Sequence, residues 1–225
     1  MKKRENSKTV AQDVENDILL GVFRPKERLV ESDLMARYNA KRNAVRMALH
    51  DLEHKGLVRR VPNKGATVAD LSVEDISKIY FLRHLLELTA VELAGELITE
   101  EEISELERIQ CEYKRHVESR DLPLIIQANN RFHDALFRAS RNEYLVKIIH
   151  DLQAMVYSIR YYGWPMPGIM IQTVQEHDEV LAALNKKDMV RLKELWQQHL
   201  AIGKNAYLVL HKNPNIFDTY SGTSR

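Results

Sequence analysis

Residues 41–68, KRNAVRMALHDLEHKGLVRRVPNKGATV, decide the fold of the first third of the chain. Val45, Leu49 and Leu52 share one face of a helical period from about Asn43 to Lys55, and Gly56 supplies a stop. Leu57–Val61 and Ala66–Val68 then read as two short strands around the turn Pro62-Asn63-Lys64-Gly65, which makes a hairpin. Working outward toward the start, Val10, Val14, Ile18 and Val22 recur at four-residue steps, a helical stripe that ends near Gly21 and Pro25. A short helix follows Glu31-Ser32, with Leu34, Met35 and Tyr38 inward and a stop near Asn39. Helix, short helix, tight turn, helix and hairpin together form a winged helix-turn-helix, whose third helix enters a DNA major groove.

The residues leading that third helix carry the matching chemistry. Lys41 supplies phosphate charge, Arg42 and Arg46 pair with guanine or phosphate, and Asn43 reads adenine. Arg42 and Arg46 are one turn apart and project from one face. At the wing tip Lys64 adds charge, while Gly65 lets the backbone approach a sugar-phosphate edge. By spacing alone, the competing reading is a solvated basic face on a small helical domain. Charge distribution favours the DNA reading: residues 1–70 hold 15 Lys/Arg against 10 Asp/Glu, whereas residues 71–225 hold 18 against 22.

Composition places the chain among soluble globular proteins, with 44% hydrophobic and 29% charged residues. The basic start MKKRENSKTV lacks the apolar region of a secretory signal, and no apolar run is long enough to span a membrane. Cys111 is the one cysteine, so no internal disulfide forms, and its helical setting predicts a partly buried, inert thiol. A cytoplasmic location is the expectation.

Beyond Leu71 the texture becomes helical. Ser72, followed by Glu74 and Asp75, reads as an N-cap with acids in the first turn. Helices are expected near 73–96, 100–119, 121–140, 143–161, 171–186 and 188–211, with Thr99 and Asp188 marking further starts. Gly163-Trp164-Pro165-Met166-Pro167-Gly168 breaks the pattern as a connecting loop, and residues 213–225 are polar and expected to fray. The fold class is therefore mainly α: a winged helix-turn-helix over residues 1–71 and an all-α bundle over residues 72–225.

The first part resembles the DNA-binding domain of the GntR regulators. The likeness rests on Gly21-Val-Phe-Arg-Pro-Lys-Glu-Arg-Leu29, Glu31-Ser-Asp-Leu34, Arg42-Asn-Ala-Val-Arg46-Met-Ala-Leu49, Leu52-Glu53, Gly56-Leu57-Val58 and Gly65-Ala66. It implies that Arg42 and Arg46 are the paired recognition-helix arginines, Gly65 the wing glycine and Ser32 a phosphate contact. Three departures stand out: Pro25-Lys26 replaces Pro-Gly, Lys41 replaces a Ser/Thr, and Asn43-Ala44 replaces Thr-Pro. Lysine cannot cap a helix, so Asn43 is expected to take over the cap, which would withdraw it from base reading.

The second part resembles the FCD ligand-sensing domain of the FadR-like subgroup, through Ile79-Tyr80-Phe81-Leu82-Arg83, Glu87, Asn129-Asn-Arg-Phe-His133, Glu176-His177 and His199. In that subgroup a divalent metal is held by an Asp, a His one turn later and two later histidines. Here those positions are Asn129, His133, His177 and His199, so an amide stands in place of the carboxylate. Zinc or nickel suits such an imidazole set. Arg83 is read as a clamp for an effector carboxylate, against a surface or dimer-contact role. The resemblance implies a ligand-responsive repressor: a homodimer on a palindromic operator, bound by an organic or sugar acid. The alternatives are a metal-dependent enzyme using the three histidines and a helical interaction module with an incidental basic head. No HExxH is present, and Glu176 reads as ordinary helix surface.

Overall fold

The structure is a computed structural model that describes residues 6–19, 22–61, 65–157 and 168–212. Among the described residues it contains nine helices and three short strands. Val10, Val14 and Ile18 are buried along α1 (Ser7–Leu19), as their four-residue spacing requires. That stripe packs on α3 (Arg42–His54), which buries Ala44, Val45, Ala48, Leu49 and Leu52. The helix between them in sequence, α2 (Glu31–Arg37), packs on α3 and buries Leu34. Asp17 of α1 ties α2 down by accepting from Arg37 Nε at 2.9 Å and Tyr38 Oη at 2.6 Å. Burial and this hydrogen bond hold the Tyr38 hydroxyl well above the usual tyrosine range.

The expected hairpin is β2 (Val58–Val61) and β3 (Gly65–Val68), joined by β1 (Arg28–Leu29) in the order β1-β3-β2. All pairings are antiparallel. Gly65 has φ +86°, and a Cβ there would lie 3.1 Å from the Leu29 carbonyl oxygen. The wing glycine is thus required by the sheet itself. Where the GntR pattern has glycine, Lys26 adopts φ 68° and its ammonium lies 2.9 Å from Asp70.

The helical part comprises α4 (Val73–Leu97), α5 (Glu100–Ser119), α6 (Leu122–Arg138), α7 (Glu143–Met155), α8 (Ile169–Lys186) and α9 (Met189–Lys212). Five of these six starts are written in side chains that accept a backbone N–H, Ser72, Thr99, Asp121, Asn142 and Asp188, while α8 starts after Gly168 without one. α5 packs on α6 and α8, while α9 lies against α4 and α8. Trp196, Phe132, Phe137 and Val91 lie at the centre without exposure. The head core continues into this bundle through Tyr113, Leu122, Ile125 and Ile126.

Helix α3 ends in a Schellman turn, with Gly56 N–H bonded to Glu53 O and Leu57 N–H to Leu52 O. Gly56 has φ +72°, and a Cβ there would lie 3.0 Å from the Ala154 carbonyl oxygen at the end of α7. Head and bundle therefore touch backbone to backbone at this point. On the other side, Tyr207 Oη of α9 donates to Asp70 at 2.9 Å, the same carboxylate that Lys26 approaches.

Several expectations are corrected. Asn43 is not the cap of α3: Lys41 occupies that position with extended φ −77°, ψ 151° and no side-chain cap, and Arg42 is already helical. Cys111 is exposed on α5, because its face of that helix points away from α6 and α8. Lys64, residues 163–167 and residues 213–225 lie outside the described residues.

Thr99 and Glu102 form a reciprocal capping box, and Arg141 reaches across to the same Glu102 with two N–H···O bonds of 2.5 and 2.8 Å. The Arg141 hydrogen bond holds the Glu102 carboxyl below the usual range. A depressed carboxylate contributes stability that is present above its unfolded-state value and is lost as pH falls through the folded one. Glu102→Gln should cost less than about 1 kcal/mol near neutral pH. Urea denaturation should show that deficit shrinking toward zero in acid, and a deficit that grows in acid would contradict the assignment.

Candidate nucleic-acid interface and histidine site

Lys41, Arg42, Asn43 and Arg46 are all exposed, at the entry and first turns of α3. Burial of Ala44, Val45 and Ala48 on the opposite face leaves these side chains outward. Arg46 Nε is 3.7 Å from Glu31 at the start of α2, a long contact that DNA phosphates would readily replace. Because Asn43 is the second residue of the helix and not its cap, its amide is not committed to capping. Ser32 is exposed on the first turn of α2, and its hydroxyl donates to Asp33 at 3.1 Å. The described strands bring Gly65 to the same end of the sheet as the start of the wing turn.

In the bundle, the distant histidines converge. His133 of α6, His177 of α8 and His199 of α9 place ligand nitrogens within 4.8 Å of one another. His199 Nε2 lies 2.9 Å from His133 Nε2. Asn129 is buried one turn before His133, at 2% exposure, on the same face of α6. Apolar walls close the site: Phe132 stacks on His177 at 4.1 Å, and Trp196 lies 4.9 and 5.1 Å from His133 and His199.

Two outer partners set the tautomers. Gln110 donates both amide hydrogens, to Val174 O at 2.9 Å and Asp178 at 3.0 Å, so its carbonyl oxygen faces His177 Nδ1 at 3.1 Å. His177 therefore carries its proton on Nδ1 and its lone pair on Nε2. Glu176 accepts from His199 Nδ1 at 2.8 Å, which puts the His199 lone pair on Nε2 as well. Glu176 is 13% exposed, so its reading as ordinary helix surface is corrected: it orients a histidine.

Arg83 and Glu87 complete the neighbourhood. Arg83 is 2% exposed and donates from Nε to Glu87 Oε1 at 2.8 Å. Its guanidinium carbon lies 4.7 Å from the Tyr80 ring centroid. Glu87, fully buried, also accepts from Trp196 Nε1 at 3.3 Å and Gln153 Nε2 at 3.4 Å. Trp196 is shared between this ion pair and the histidines. Gln110 and Trp196 were not among the residues singled out by sequence, since each acts across more than sixty residues of chain.

Residues 78–202 match the FCD domain family, and residues 6–68 match the family described as bacterial regulatory proteins, gntR family. The chain belongs to the GntR family of transcriptional regulators, with an FCD domain behind its helix-turn-helix. It is 29% identical over 185 residues to the uncharacterized HTH-type transcriptional regulator YdhC of Bacillus subtilis, covering 81% of this chain and 80% of YdhC. It is 25% identical over 202 residues to the HTH-type transcriptional repressor RspR of Escherichia coli, covering 89% of each. Its fold resembles that of E. coli McbR/YncC, with a TM-score of 0.66 at 24% identity over 92% of this chain and 97% of that one. Among the described residues, no helix of this GntR protein is long and apolar enough to cross a membrane.

Glu87→Ala would leave the Arg83 guanidinium buried without its carboxylate. Loss of one partner of a buried pair costs about 3–5 kcal/mol. Chemical denaturation should show a loss of that order; a variant within about 1 kcal/mol of the native chain would remove Glu87 from its central place.

Proposed function

We propose that this GntR regulator is a cytoplasmic repressor that binds a palindromic operator as a homodimer and is controlled by an acidic small molecule at the histidine site. The exposed cluster Lys41, Arg42, Asn43 and Arg46 at the start of α3 carries the DNA-binding part of this reading. Arg42 and Arg46 read base edges, Asn43 reads adenine, and Lys41, Ser32, Lys64 and the Gly65 wing meet the backbone. The functional division falls between residues 71 and 72. Repression is favoured by the likeness to RspR, which is described as a repressor. A second copy suits the exposed Phe81, Leu82 and Leu85 on α4, a stripe no monomer covers.

The donor set fits a divalent cation. His177 and His199 have their Nε2 lone pairs set by Gln110 and Glu176, and His133 brings a third nitrogen beside them. These three, with the Asn129 carbonyl oxygen, would hold zinc or nickel, which supplies a positive, Lewis-acidic centre for an effector carboxylate. Asn129 brings no charge, so affinity is lower than a carboxylate would give. Glu176 is engaged in orienting His199, which favours a binding site over the alternative of a hydrolytic enzyme.

An effector carboxylate reaching Arg83 competes with Glu87 for the guanidinium. Glu87 then shifts its hold on Gln153, and the end of α7 moves against Gly56 and the end of α3. Differential binding of this kind is what changes operator affinity.

The test is binding to the chain's own promoter region. A two-fold symmetric footprint is expected, with Arg42→Ala weakening specific binding by about tenfold or more. An asymmetric footprint, or affinity unchanged in Arg42→Ala, contradicts the reading. For the metal, elemental analysis of unchelated protein should find one zinc or nickel per buried site. Asn129→Asp should tighten Zn2+ binding by about tenfold, equal to about 1.4 kcal/mol. An equal or weaker affinity in that variant would take residue 129 out of the ligand set. Effector affinity unchanged in Arg83→Ala would reject the clamp.

A further inference from the structure

His50 and His54 stand one helical turn apart on the last two turns of α3, and both are exposed. Their Nε2 atoms are 3.2 Å apart, with ring centroids at 4.4 Å and planes at 71°. Neutral imidazoles reach this distance when one Nε2–H donates to the other Nε2 lone pair. The same distance also suits a shared cation. Metal–nitrogen bonds to imidazole are about 2.0–2.1 Å, so two nitrogens this far apart subtend roughly 100° at the ion, between octahedral and tetrahedral angles.

Three surrounding features favour a positive guest. His54 is the last residue of α3, where the helix dipole presents its negative end. The His50 Nδ1 atom lies 3.9 Å from the Asp51 carboxylate, which places negative charge beside the ring. Arg46, the cation one turn earlier, leans toward Glu31 and not toward His50. The two histidines are far in sequence from His133, His177 and His199 and share no element with them.

We propose that His50 and His54 form a two-imidazole clip for a borderline divalent cation of the zinc–nickel–copper class, its remaining positions filled by water. Residues 42, 46, 50 and 54 follow one another at four-residue steps, so the clip extends the arginine stripe along α3. A bound cation there adds positive charge beside the DNA backbone and staples the end of the recognition helix. That electrostatic role rests on the DNA-facing assignment of α3; the clip itself rests only on the histidine geometry.

The experiment titrates the chelator-stripped full chain with Ni2+ by calorimetry, beside His50→Ala and His54→Ala. Both substitutions are at exposed positions and should leave the melting temperature in place. The native chain is expected to show a micromolar equivalent that vanishes from each variant, while any tighter equivalent at the buried histidines stays. An unchanged number of equivalents in both variants overturns the clip, as does a loss in only one of them. With DNA of arbitrary sequence, Ni2+ should tighten binding and steepen its salt dependence in the native chain but not in His54→Ala. Ni2+ binding that both variants lose, without any such change on DNA, overturns the electrostatic role and leaves the clip standing. Failure to bind DNA in every condition would instead count against the recognition-helix assignment.

Discussion

A carboxylate with no access to water must be satisfied entirely by protein, and Glu87 is satisfied from three directions. Arg83 donates from the same helix one turn earlier, Gln153 from α7 and Trp196 from α9. Helices α4, α7 and α9 are thereby held at one point. The indole also walls the histidine site, and the residue after Gln153 is Ala154, whose carbonyl oxygen abuts Gly56. Contiguous contacts thus run from this buried charge to the histidine walls on one side and to the end of α3 on the other.

The head is positioned by a second junction of opposite character. Lys26 holds a left-handed conformation that glycine adopts at lower cost, and its ammonium meets Asp70, which also accepts from Tyr207. This junction is partly exposed at the lysine, so it is worth far less than the Glu87 pair and is screened by salt. The connection to the head thus combines a surface ion pair, a tyrosine hydrogen bond and one backbone approach with the apolar contacts that Tyr113, Leu122, Ile125 and Ile126 make with the head core.

Local signals were well written in the sequence. Ser72, Thr99 and Asp188 cap helices where their residue types predict, and Val10, Val14 and Ile18 of α1 and Val45, Leu49 and Leu52 of α3 are buried, whereas Val22 lies beyond the end of α1. β1 was illegible because two residues carry no alternation. Asn43 is not the cap because the extended backbone at Lys41 starts the helix without a side-chain acceptor, which cap preference does not reveal. For the site, the three histidines came from a family likeness and converge within 4.8 Å. Their orienting partners were hidden for a plain reason: Gln110 and Trp196 meet His177 and Glu87 across 67 and 109 residues, and nothing local marks either. Glu176 adjoins His177 in sequence, yet it serves His199, because successive helical residues face different neighbours.

Amide hydrogen exchange at Gly56 and Leu57 tests the link from site to head most directly. Their N–H groups close the Schellman turn of α3, so exchange there reports the hold of α7 on the recognition helix. Zn2+ added to the chelator-stripped chain should change the exchange of these two amides, and Gln153→Ala should abolish that change while leaving Zn2+ binding intact. Equal exchange with and without Zn2+ in the native chain, under conditions where Zn2+ is bound at the histidines, would contradict a path through Glu87 and α7.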